Sequence, residues 1–135
     1  MKKLDHIGIA VQDLEAAERI FKDVLGSPAY KHEEVLGEAV LTSFFKAGEA
    51  KVELLVPTSP ESAIARHLER RGPGLHHVAF HVDDLESELE RMIGLGYRVV
   101  VEPKDGADGK RIAFLHPADT GKVLVELCAD AAGRG

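Results

Sequence analysis

The chain has 135 residues, 44% hydrophobic and 30% charged, which fits one globular domain with a core of its own. A formal net charge of -6 argues against nucleic acid as a partner, since phosphate backbones are bound by Lys and Arg. No run approaches the roughly 20 apolar residues of a membrane span, and the single cysteine, Cys128, excludes an intramolecular disulfide. A cytoplasmic protein with no membrane partner is expected.

The first element is "LDHIGIAV", where residues 4–11 alternate as a strand. Ile7, Ile9 and Val11 share one face, while His6, Gly8 and Ala10 share the other. Leu14, Ala17, Phe21 and Val24 then recur at helical spacing, and Gly26 supplies a left-handed cap. Strands follow near Tyr30 to Glu34, Ala39 to Lys46 and Lys51 to Val56. In the last of these Val52, Leu54 and Val56 pack on one side and Glu53 projects from the other.

"SPESAIARHLERRG" reads as a linking helix over 59–72, with Ser59 as N-cap, Pro60 at the first helical position and Gly72 as terminator. Beyond it the pattern starts again. "LHHVAFHV" at Leu75 is a second His-bearing strand, with Val78, Phe80 and Val82 on the face opposite His77, Ala79 and His81. Leu85, Leu89, Met92 and Ile93 make a second helix, capped by Asp83 or Asp84 and ending near Gly96. Strands near Arg98 to Glu102, Arg111 to His116 and Val123 to Cys128 complete the unit, the last with Glu126 projecting away from Val125 and Leu127.

The two halves are one unit written twice. His6, Val11, Asp13, Leu14 and Glu15 match His77, Val82, Asp84, Leu85 and Glu86 at one offset. "VEL" at Val52 recurs at Val125, each time four residues after a glycine, at an offset that one small loop insertion lengthens. The expected fold is α+β: two βαβββ repeats, about 4–57 and 75–128 around the linking helix, in a single 1–135 domain. They would form a curved, cleft-enclosing mixed sheet of about eight strands with helices outside. Each repeat offers one His and one Glu from the face away from its helix. If the halves pair about a pseudo-twofold axis, His6, Glu53, His77 and Glu126 converge. Two imidazoles and two carboxylates suit Co, Mn, Ni, Fe or Zn with positions open to water or substrate.

The other histidines have weaker claims. His76 points opposite to His77; His81 shares the face of His77 but lies about 13 Å along the strand, as a pocket wall. His32 and His67 read as surface residues, and His116 in "FLHP" stands beside a turn, with a structural role or a substrate contact both open.

Paired units of this kind resemble the vicinal oxygen chelate superfamily, which includes glyoxalase I and the extradiol dioxygenases. More narrowly the chain resembles the methylmalonyl-CoA epimerase family. The matching stretches are "LDHIGIAV" with "DLE", "VELLVP" leading into "SPESAIARHLERRGPGLHHVAFHVDD", and "GKRIAFLHP" followed by "GKVLVELC". The resemblance implies interconversion of (2R)- and (2S)-methylmalonyl-CoA through an enolate, a homodimer, and one divalent ion per chain (Co, Mn, Ni, Zn or Mg) on His6, Glu53, His77 and Glu126. Some members carry Gln at the position of Glu53, together with a proton-transferring Glu on the preceding strand. Counting back from Gly48, Thr42 takes that place here, and Glu38 lies four residues too early unless the strand is bulged. Glu126 is then the first proton carrier, with Glu53 or a water on the metal as the second.

Lys104, Lys110 and Arg111, around the glycines of "KDGADGKR", are candidate contacts for the CoA phosphates, with an exposed charged hairpin as the equal alternative. Three rival readings stand beside this one, and against the first it is the long "SPESAIARHLERRGPGLHHVAFHVDD" match, not the site residues, that favours the epimerase family. A glyoxalase I-type lyase acting on a glutathione hemithioacetal would use a similar ligand set. An extradiol dioxygenase would need only two His and one Glu around iron. A metal-free small-molecule-binding protein of this fold would have no use for four ligands.

Overall fold

The computed structural model describes residues 2–131. They divide into two compact units, one of His6–His76 and the other of the remaining described residues. Residue 1 and residues 132–135 of the expected 1–135 span lie outside the described residues.

The first unit runs β1 (Lys3–Ala10, from His6 onward), α1 (Leu14–Leu25), β2 (Lys31–Val35), a 3-10 turn at Leu36–Glu38, β3 (Val40–Ala47), β4 (Ala50–Pro57) and α2 (Ala63–Arg71). Its strands lie in the order β2-β3-β4-β1, with β1 parallel to β4 and the other pairs antiparallel. Parallel pairing needs a crossover, and α1 begins that connection. Asp13 caps α1 by accepting from the Ala16 amide at 3.1 Å, and Gly26 ends it at φ 82°, a conformation a side chain would resist. Leu14, Ala17 and Phe21 of α1 pack with Ile7, Ile9, Phe45, Val52, Leu54 and Val56, the parity read from the sequence.

The second unit holds β5 (Gly74–His81, from His77 onward), α3 (Leu85–Gly94), β6 (Val99–Asp105), a 3-10 turn at Ala107–Gly109, β7 (Lys110–Leu115) and β8 (Val125–Asp130). Its order is β5-β8-β7-β6, again with one parallel pair, β5 with β8. Asp84, not Asp83, caps α3, accepting from the Ser87 amide. Leu85 and Leu89 pack with Val82, Ala113, Leu115 and Leu127. Burying a Leu such as Leu85, 2% exposed, contributes about 1.5–3 kcal/mol. Each unit is therefore a βαβββ module, and the fold is α+β with eight strands, four to a unit.

The linking helix starts later than expected. Residues Ser59 to Ser62 form a turn in which the Ser59 hydroxyl accepts from the Glu61 amide, and Ser62 is the true N-cap, accepting from the Ala65 amide at 2.9 Å. Pro60 is thus part of the turn. Ile64 and Leu68 of α2 pack with Ala10, Val40 and Leu55, on the same side of the sheet as Glu53. That side is closed at one end by a helix, while α1 covers the other side.

Candidate active site

Strand alternation carries the site. In the first unit His6 and Glu53 emerge from β1 and β4 on the side away from α1, and the His6 Nδ1 lies 3.2 Å from a Glu53 oxygen. In the second, His77 of β5 and Glu126 of β8 repeat the arrangement, with His77 Nε2 3.1 Å from a Glu126 oxygen. All four are buried, none more than 8% exposed. Carboxylates withdrawn from water are costly unless they meet a cation or donors. The donor set of each unit, one imidazole nitrogen and one carboxylate, is the kind that holds a divalent ion. The residues present therefore fit such a group.

Register adds a feature that alternation alone did not reveal. Phe44 stands directly opposite Glu53 across β3 and β4, and Phe114 opposite Glu126 across β7 and β8. The Phe114 ring meets His77 edge-on, with centroids 5.7 Å apart. Each His–Glu pair thus has an aromatic wall, supplied at the equivalent strand of each repeat. Ile112, Phe114 and Cys128 form a buried apolar floor beside Glu126, joined by Val101 and Leu124.

Thr42 is buried on β3, on the same side as Glu53, and pairs with Leu55 and with Glu33 of β2. The register of β3 runs unbroken from Val40 to Ala47, so no bulge brings Glu38 to that place; Glu38 lies in the 3-10 turn before Ala39.

The expected phosphate contacts have partners within their own unit. The Arg111 guanidinium pairs with Glu86 of α3, on the helix-covered side. Lys110 reaches Asp108 at 3.8 Å and Asp130 at 3.5 Å. The His116 Nδ1 accepts from the Ala118 amide at 3.1 Å, which fixes the turn that follows β7. Lys104 stands opposite Ile112, on the Glu126 side. His81 is held by Asp130 at 3.2 Å. His32 faces α1 and binds Glu18, and His67 packs edge-on against His76 at 5.0 Å between ring centroids.

Comparison with known proteins assigns the family. The glyoxalase/bleomycin resistance protein/dioxygenase superfamily matches residues 5–114. The uncharacterized protein YqjC of Bacillus subtilis is 42% identical over 95% of this chain and 92% of its own. The ethylmalonyl-CoA/methylmalonyl-CoA epimerase of Cereibacter sphaeroides is 38% identical over 93% of this chain and 96% of its own. A solved structure of methylmalonyl-CoA epimerase in complex with methylmalonyl-CoA and NH4+ superimposes with a TM-score of 0.91 at 34% identity, covering 98% of this chain and 96% of that one. With matches that span both repeats, the chain belongs to the glyoxalase/bleomycin resistance protein/dioxygenase superfamily and, within it, to the methylmalonyl-CoA epimerase family of enzymes.

Proposed function

We propose that this enzyme epimerises methylmalonyl-CoA at its α-carbon and does so with one divalent ion held by His6, Glu53, His77 and Glu126. The observation that carries the reading is the buried His–Glu pair repeated in both units of a chain similar over its length to methylmalonyl-CoA epimerases. The ion, when bound, supplies Lewis-acid stabilisation of the negative charge that develops on the thioester oxygen.

The chain's own groups do the rest. The α-proton lies between a thioester carbonyl and a carboxylate, so its removal gives a planar enolate. Inversion then needs a proton carrier on each face of that plane. Glu126 takes or returns the proton at a carboxylate oxygen, and Glu53 is the second carrier, since Thr42 has no ionisable group to offer. The Phe44 and Phe114 walls keep water from reprotonating the enolate at random. Lys110, Arg111 and His116 contact the CoA moiety in this reading; Arg111 and His116 would exchange their present partners to do so. A homodimer in the cytoplasm completes it: sheet edges are commonly covered by pairing, and a lone buried Cys128 suits a reducing compartment.

The test is incubation with methylmalonyl-CoA in deuterated water. Deuterium should enter at the α-carbon while the thioester stays intact. Substrate recovered without exchange, from protein loaded with divalent metal, would overturn the proposal.

A further inference from the structure

Strands β2, β3 and β4 carry three lysines between them, Lys31, Lys46 and Lys51. The register puts all three on the side of Glu53. Lys46 is directly opposite Lys51, in the row next to the Phe44–Glu53 pair, and Lys31 is directly opposite Phe44. Lys51 is also the partner of His6 across β4 and β1. In a chain with a net charge of -6, three cations have gathered around one candidate metal ligand pair.

Their placement is held by aromatic rings. The Lys31 ammonium sits 4.7 Å above the buried Phe44 ring, and the Lys46 ammonium 4.9 Å from the ring of Tyr30. Those two rings pack against each other at 6.1 Å, and Tyr30 is 42% exposed. Cation–π contacts hold an ammonium in place while its N–H donors meet an anion, as Lys31 meets Glu33 at 4.0 Å on the same face. Like charges directly opposite on neighbouring strands weaken a sheet. An anion lying on the Lys46–Lys51 pair meets ammonium donors from two neighbouring strands at once.

The geometry points to an anion subsite formed by Lys46 and Lys51, with Lys31 beside them, for a carboxylate or phosphate group of an acyl-CoA. The inference rests on the proposed function, since it takes the Glu53 side of the first unit to be where the acyl-CoA binds. Two sources of the anion are distinguished by experiment: the acyl carboxylate and the CoA phosphates.

The test is calorimetric binding of methylmalonyl-CoA, propionyl-CoA and adenosine 3′,5′-bisphosphate to metal-loaded wild type, Lys46→Ala/Lys51→Ala and Lys46→Arg/Lys51→Arg. Arg19→Ala/Lys22→Ala on α1 removes the same charge elsewhere and should bind as wild type does. The alanine pair should lose at least about tenfold in affinity, the scale of a lost charge-assisted hydrogen bond, and the arginine pair should keep most of it. If the carboxylate is the anion, the loss appears with methylmalonyl-CoA and spares propionyl-CoA. If a phosphate is the anion, all three ligands weaken. An alanine pair with a native circular dichroism spectrum that binds every ligand like wild type sinks the subsite alone. Wild type that binds no acyl-CoA sinks the proposed function and the subsite with it.

Discussion

Phe114 lies directly across from Glu126 on the neighbouring strand, and its ring stands perpendicular to that of His77 with centroids 5.7 Å apart. One aromatic side chain therefore touches or faces both members of the second unit's His–Glu pair. Such a ring excludes water and fixes the plane of the imidazole, which a ligand to a metal requires. Phe44 holds the same station opposite Glu53.

Ligand and base separate at Glu126. Replacement by Gln keeps a neutral oxygen but removes the carboxylate proposed above to move a proton. Epimerisation should fall by about two orders of magnitude or more, as for loss of a general acid–base group, while metal content falls much less. Near-normal turnover by metal-loaded Glu126→Gln would exclude Glu126 as a carrier.

His77→Ala should lower the metal retained. Elemental analysis of the purified wild type should find about one divalent ion per chain, and the variant should hold clearly less after the same dialysis, since each imidazole nitrogen is one of few ligands. Equal metal in both would remove His77 from the ligand set.

Asp119 offers a pH readout away from the candidate site. The Arg98 side chain and the Arg98 amide both donate to it, at 2.9–3.0 Å, and these bonds lower its carboxyl to about 2. A pKa lowered by folding stabilises the native state above the unfolded value, and the contribution fades as pH falls through the folded one. Asp119→Asn should thus melt below wild type at pH 7, and the gap should close between about pH 4 and pH 2. Thermal melts at stepped pH check this; a gap that stays constant down to pH 2 would contradict it.

Gly106 lies where a side chain does not fit. A Cβ there would come within 2.9 Å of Ile112 Cγ2, and Ile112 is 4% exposed in the floor beside Glu126. Its φ of -126° is open to any residue, so the obstacle is packing alone. Gly106→Ala should cost about 1–2 kcal/mol by overpacking, read as a lower urea midpoint with an unchanged slope. No change in midpoint would mean that the loop lifts freely off Ile112.

Much of the fold was legible because strand alternation and duplication reinforce each other. The parity of "HIGIA" and "VEL" forecasts that Ile7, Ile9, Val52 and Leu54 turn toward α1, and they do. The same parity singles out His6, Glu53, His77 and Glu126, which are buried in His–Glu pairs unit by unit. What stayed hidden depends on register between strands, which one strand's pattern does not encode. Phe44 and Phe114 read as ordinary core residues until their partners are known. The Lys46–Lys51 pair is invisible for the same reason. The pairing of Arg111 with Glu86 of α3 is hidden in the same way, because the glycine-rich setting of Arg111 says nothing of the helix beside it. Ser59 and Ser62 are equally good caps on paper, and Pro60 fits either a turn or a first helical position.

The facing Phe–Glu pairs also bear on how much length each repeat tolerates. β3 and β4 turn back at once through Gly48 and Glu49, while β7 and β8 are joined by residues 116–124, yet both hairpins bring a Phe opposite a Glu. Length has therefore been gained in a connection without disturbing the pairing on either side of it. A residue inserted within β8 before Glu126 would instead rotate that carboxylate toward α3 and turn an apolar neighbour into its place. A reporter peptide or an affinity tag spliced into the second repeat belongs at the exposed residues 121–123 of that connection, clear of His116 and Asp119, whereas the strands themselves admit none.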